Sequence, residues 1–123
     1  MKLSFGEVQS FVSDLDAARK FYEGSLGLSL VEESAEWLIF DISGNEFIVF
    51  GGAKQGRLRG AYGTECGTVL CLSTDDIHRD FDALKASGVA FFSEVKEVPE
   101  GWYVGFQDPD GNLLELVQRR KQQ

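Results

Sequence analysis

The feature that most constrains this 123-residue chain is an internal repeat. Asp14 to Gly27 and Asp75 to Gly88 each span thirteen steps, and each interval carries apolar residues at helical spacing. Leu15, Ala18, Phe21 and Tyr22 form the first stripe, and Ile77, Phe81 and Leu84 the second. Ser13-Asp14 and Thr74-Asp75-Asp76 supply side-chain oxygens that cap a helix start, and glycines close both segments. Residues 5–12 precede the first helix as an apolar, strand-like run, and 28–33, 36–42 and 46–50 follow it as three short β-rich runs. Around the second helix the order returns, with strands expected at 68–73, 89–94, 102–107 and 113–117. The last two runs of each half are joined by Asp-x-x-Gly-Asn, as DISGN at 41–45 and DPDGN at 108–112. Asp or Pro early and Gly-Asn late suit a tight turn, so the motif is read as structural.

Two βαβββ units, each too small to bury a core alone, have to pair, and pairing two twisted sheets leaves a cleft. The expected fold is therefore α+β: two βαβββ modules forming a cupped, eight-stranded mixed sheet with the helices outside. Residues 1–123 are read as a single domain, with a first module at 1–55 and a second at 66–123. Between them, 51–67 is a glycine-rich loop with Arg57 and Arg59, which as a site feature closes over the cup and otherwise is a solvated connection. Gly51-Gly52 has neither the spacing nor the Lys-Ser end of a phosphate loop.

With 43% hydrophobic residues and two prolines, the chain has the composition of a globular domain. No window reaches the roughly 18 apolar residues of a membrane span, and the start lacks a signal peptide's apolar core, so a cytoplasmic protein is expected. Twenty acidic against twelve basic residues give a net charge of −8, and the one basic run, Arg119-Arg120-Lys121, closes the chain. Nucleic-acid and membrane partners are disfavoured, and a cationic ligand is favoured by the field. Cys66 and Cys71 lie five apart in or near one strand and read as free thiols.

The stretches VSDLDAARKFYEGSLGL at 12–28 and FQDPDGNLLELVQ at 106–118 resemble the vicinal oxygen chelate superfamily, which includes glyoxalase I, extradiol dioxygenases, fosfomycin-resistance enzymes and bleomycin-binding proteins. The resemblance covers essentially the whole chain. It implies a small-molecule site inside the cup and, in metal-dependent members, four ligands from the first and last strands of the modules. Those positions fall on Glu7, Val49, Val69 and Glu115, the middle two uncertain by one residue. Valine cannot ligate, and the sole histidine, His78, sits off the apolar stripe of its helix as a solvent-facing residue. A zinc or nickel centre of the glyoxalase kind is hard to build from this set, and an iron dioxygenase site lacks its paired histidines.

Strand alternation places Glu7, Gln9 and Phe11, Phe47 and Val49, Val69, Cys71 and Ser73, Tyr103, Gly105 and Gln107, and Leu113, Glu115 and Val117 on one mixed face. From these, Glu7, Gln9, Phe11, Phe47, Val49, Val69, Cys71, Tyr103, Gln107 and Glu115 are the expected ligand-binding residues. Trp37 and the other aromatics can stack a planar ligand, though no face is assigned to Trp37. Glu7 and Glu115 admit three readings: ligands for a hard divalent cation such as magnesium, manganese or calcium, a proton-sharing acid and base, or a receptor for a basic ligand. The structural alternatives are a Glu115 hydrogen-bonded to Gln9 or Tyr103 and a solvated Glu7. Cys71 reads as a small packing residue ahead of a nucleophile. The leading expectation is a homodimeric small-molecule binder of the bleomycin-binding type, sequestering a basic ligand without a glyoxalase-type metal. The rival is a metal-dependent, glyoxalase-like lyase or isomerase using Glu7 and Glu115.

Overall fold

Asp14 caps the first helix as its position predicts. Its Oδ1 accepts hydrogen bonds from the Asp16 N–H at 2.9 Å and the Ala17 N–H at 3.2 Å. In the computed structural model, which describes residues 1–54 and 60–121, the chain divides into two compact units, Met1–Arg57 and Leu58–Gln123. In the first, helix α1 (Leu15–Arg19) runs on into a π-helical turn, Lys20–Ser25, and Gly27 at φ 69° ends it. Strands β1 (Val8–Phe11), β2 (Ser29–Glu33), β3 (Trp37–Ile42) and β4 (Asn45–Phe50) form a sheet in the order β1-β4-β3-β2, with β1 parallel to β4 and the other pairs antiparallel. The core lies between α1 and this sheet. Tyr22, 1% exposed, meets Phe21, Phe40 and Phe47 with ring centroids 4.8, 5.9 and 5.1 Å away.

The second unit repeats the plan. Strands β5 (Leu70–Ser73), β6 (Lys96–Val98), β7 (Gly101–Gln107) and β8 (Leu113–Arg119) lie in the order β5-β8-β7-β6, with β5 parallel to β8, and helix α2 is Ile77–Ala86. Ile77, Phe81 and Leu84 are buried, with Phe91 bridging Phe81 and Phe106 at 4.6 and 5.3 Å. After α2, the Gly88 N–H bonds the Lys85 carbonyl at 3.1 Å and the Val89 N–H the Leu84 carbonyl at 3.0 Å, the paired bonds of a Schellman ending with Gly88 at φ 96°.

Several expectations change in detail. The second N-cap is Asp76, whose Oδ1 accepts from the Arg79 N–H, so cap to glycine is twelve steps here against thirteen from Asp14 to Gly27. The π turn of the first helix takes up the extra residue. The first strand begins at Val8 and not at residue 5. The strand expected at 89–94 is replaced by the edge strand β6 at Lys96–Val98, and the apolar 90–92 segment touches β7 through a single bridge, Phe91 to Phe106. The two Asp-x-x-Gly-Asn motifs also make different turns. Ser43 and Gly44, at φ 54° and 85°, form a two-residue hairpin closed by the Ile42–Asn45 pair, as a type I′ turn requires. Asp108, 3% exposed, instead organises a longer loop: its Oδ1 accepts from the N–H groups of Asp110 and Asn112 at 2.9 and 2.8 Å, and its Oδ2 from Asn112 Nδ2 at 2.8 Å. No helix among the described residues is long and apolar enough to cross a membrane.

Candidate functional site

The two ladder partners of Glu115 define a transverse row across the second sheet. Cys71 of β5 and Gly105 of β7 both pair with it, and the Phe92 N–H extends the row by donating to the Gly105 carbonyl at 3.0 Å. Their neighbours Leu114, Leu116, Val104 and Phe106 point the other way and are buried, so the row lies on the face away from the core.

Onto this row the 61–65 turn lays Tyr62. The Thr64 and Glu65 N–H groups both bond the Ala61 carbonyl, at 3.3 and 2.9 Å. The Tyr62 hydroxyl donates to Glu115 Oε2. Its ring rests on Gly105 so closely that a Cβ there would lie 2.5 Å from Cζ, and it stacks on Phe92 at 5.3 Å with 9° between the planes. Gly105 is thus needed for close approach, the reason a glycine interrupts an apolar strand. Burial first, and the hydrogen bond to Glu115 second, push the Tyr62 hydroxyl well above its ordinary value, so it stays a donor.

Glu115 Oε1 faces the Cys71 sulfur at 3.9 Å, a weak contact. Burial, then the Glu115 charge, raise the Cys71 thiol, which opposes a thiolate nucleophile. Beside the row, an open depression of about 220 Å³ is bordered by Val98, Tyr103, Glu115 and Val117, with the charged Glu100 and Arg119 also on its rim. Tyr103 pairs with Val117 and Gln107 with Leu113, so both share this face, and Val69 immediately precedes β5.

The first unit arranges its expected residues differently. Phe47 and Val49 are 2% and 0% exposed and pack on the helix side, where Phe47 meets Tyr22 edge-on. This corrects their placement beside Gln9 and Phe11. Residues 47–50 are apolar at every position, so period-two alternation gives no parity and packing under α1 decides it. The face away from the helix carries the rows Gln9–Ile48–Ile39 and Phe11–Phe50–Trp37, with the Phe11 and Phe50 rings stacked at 5.6 Å. Trp37 thereby receives its face. Glu7 is exposed, just before β1, and its Oε2 accepts from Gln9 Nε2 at 2.9 Å.

Matched ladders identify the repeat partner of Glu115. Cys71–Glu115 corresponds to Gln9–Ile48, each second residue four beyond its turn glycine, so the second metal-ligand position falls on Ile48 in place of Val49. Neither can ligate. Among the described residues no group of three or more His, Cys, Asp or Glu is placed to hold a metal ion. The residue set does not fit a glyoxalase-type centre. His78 is exposed on α2, and Arg57 and Arg59 lie outside the described residues.

Tyr62 and Phe92 were not among the expected site residues. The usable signal was Gly105, a glycine inside an apolar strand, which marks close approach by another group.

Comparisons with known proteins agree with this architecture. A family model described as the Glyoxalase/Bleomycin resistance protein/Dioxygenase superfamily matches residues 4–116. A probable lactoylglutathione lyase of Vibrio parahaemolyticus is 32% identical, covering 89% of this chain and 86% of its own. TnmS3, an antibiotic binding protein from Streptomyces, has a crystal structure that matches with a TM-score of 0.71 at 27% identity, over 98% of this chain and 99% of that one. The crystal structure of SMU.1112c matches with a TM-score of 0.79 at 25% identity, over 94% and 98% of the two chains.

Proposed function

The chain belongs to the Glyoxalase/Bleomycin resistance protein/Dioxygenase superfamily, and we propose that within it this protein binds a small basic molecule at Glu115, without a glyoxalase-type metal centre. The observation that carries the reading is the place of Glu115 at the middle of the Cys71–Glu115–Gly105 row, on the face turned away from the core. Tyr62 occupies one carboxylate oxygen; among the described residues the other meets a weak sulfur donor, which leaves acceptor capacity for a cationic N–H. Tyr62, Phe92, Tyr103 and Val117 give the carboxylate apolar surroundings, with Arg119 and Glu100 at the border of the depression, a mixture of apolar walls and a few charged groups that a ligand site has. The net charge of −8 draws cations toward the protein, and the antibiotic-binding relative supports the same class of function.

Calorimetric titration with benzylamine and benzamidine tests this. Glu115→Gln keeps an acceptor for Tyr62 but removes the charge, so affinity should fall about 10- to 100-fold, the loss of one charge-assisted hydrogen bond, at unchanged melting temperature. Affinity equal to wild type sinks the reading.

A second reading is favoured by the Vibrio relative: a metal-dependent lyase or isomerase. It predicts a stoichiometric metal in protein purified without chelator and a large upward melting shift with divalent ions. The binder reading predicts neither.

A further inference from the structure

We infer that the second sheet contains a flat aromatic slot in which Tyr62 sits as an internal stand-in, and that the ligand is a planar aromatic ring bearing a hydrogen-bond donor which takes that place. The inference rests on the proposed ligand role of Glu115 and adds the chemical class that the site selects.

Three walls define the slot. Gly105 is its floor: a Cβ there would come 2.5, 2.6 and 2.8 Å from three Tyr62 ring atoms, so the strand is bare where the ring lies. Phe92 is its side, parallel to the Tyr62 ring within 9° and still 44% exposed. Glu115 is its end, an acceptor aimed at the hydroxyl carried by the far carbon of the ring. A floor without a side chain, a parallel aromatic wall and a terminal carboxylate together select a flat ring with a donor at its tip.

The counterpart row in the first unit has none of these features. Ile39 and Ile48 stand where Gly105 and Glu115 stand, so the repeat plan by itself does not demand a slot. Tyr62 reaches the slot from a turn outside the sheet, hydrogen-bonded to it through the hydroxyl, so an incoming ring can replace it without breaking a strand pair. The depression beside Glu115 toward Tyr103 and Val117 gives a larger ligand room to continue past its donor group.

Binding of three probes tests the inference: 4-methylphenol, the tyrosine side chain as a free molecule; benzamidine, flat and cationic; and cyclohexylamine, cationic and not flat. Wild-type protein binds an external ring only after Tyr62 leaves, which lowers its apparent affinity. Tyr62→Ala should therefore bind 4-methylphenol about 10-fold or more tighter than wild type, with Tyr62→Phe, which keeps the ring and loses the hydroxyl, in between. Adding Gly105→Ala to Tyr62→Ala should abolish the gain, because the new Cβ fills the floor. If Tyr62→Ala does not fold, Tyr62→Phe with and without Gly105→Ala decides the question. Equal affinity for 4-methylphenol in wild type, Tyr62→Phe and Tyr62→Ala overturns the slot, as does a gain that survives Gly105→Ala. The function reading fails separately. Benzamidine and cyclohexylamine binding that depends on Glu115 but ignores Tyr62 and Gly105 keeps the basic ligand and removes the slot. Binding of 4-methylphenol without benzamidine keeps the slot and removes the basic ligand.

Discussion

The two halves share strand order and ladder register, yet their exposed rows differ. Gln9, Ile48 and Ile39 in the first unit stand where Cys71, Glu115 and Gly105 stand in the second. One row is aliphatic with an amide at its edge; the other has an acid at its centre and a bare backbone beside it. The difference teaches that the repeated plan lies in the strand order, ladders and helix-side core, while the outer faces of the two units differ. Chemistry therefore follows the row and not the module.

The comparison can be broken first through stability. Phe47 is expected to be core, and Phe47→Ala should cost about 3–5 kcal/mol in denaturant unfolding, with no ligand needed to see it. A cost below about 1 kcal/mol would mean that Phe47 faces outward as the alternation argument first placed it.

Transplanting the acid is the next test. Ile48→Glu puts a carboxylate at the counterpart of Glu115 in a half-buried, aliphatic row, and should cost about 1–3 kcal/mol. Glu115→Gln, which keeps its partner, should change stability little. Equal effects at the two positions would show that the Tyr62 contact gives Glu115 no special accommodation.

The smallest effect is pH-dependent. Burial and the Glu115 hydrogen bond raise the Tyr62 hydroxyl above its ordinary 10.0, so its contact contributes fully below that pH and is lost as pH climbs through the higher folded value. Between neutrality and about pH 9 no dependence arises from this group. Subtracting the alkaline absorbance titration of Tyr62→Phe from that of wild type should isolate a phenol titrating above 10, and a midpoint at or below 10 would contradict the contact.

Much of the scaffold was legible because its signals are local. Asp14, Gly27 and Gly88 act through neighbouring backbone groups, and DPDGN fixes the register of β8, which in turn fixes the side on which Glu115 emerges. What was misread depends on partners far along the chain. Residues 47–50 are apolar on both faces, so only packing under α1 shows that Phe47 and Val49 point inward. Segment 89–94 has strand composition, yet the ladder forms at Lys96–Val98, a charged edge strand that propensity does not favour. Tyr62 reaches Glu115 across 53 positions of sequence, and only the bare Gly105 advertised it.

The central claim is that the Cys71–Glu115–Gly105 row is where a ligand binds. Backbone amide chemical shifts of isotope-labelled protein titrated with benzamidine test it most directly. The account predicts saturable shifts at Tyr62, Phe92, Gly105 and Glu115 whose half-saturation moves to about 10- to 100-fold higher benzamidine in Glu115→Gln. Saturable binding that leaves Gly105 and Glu115 unmoved would contradict it.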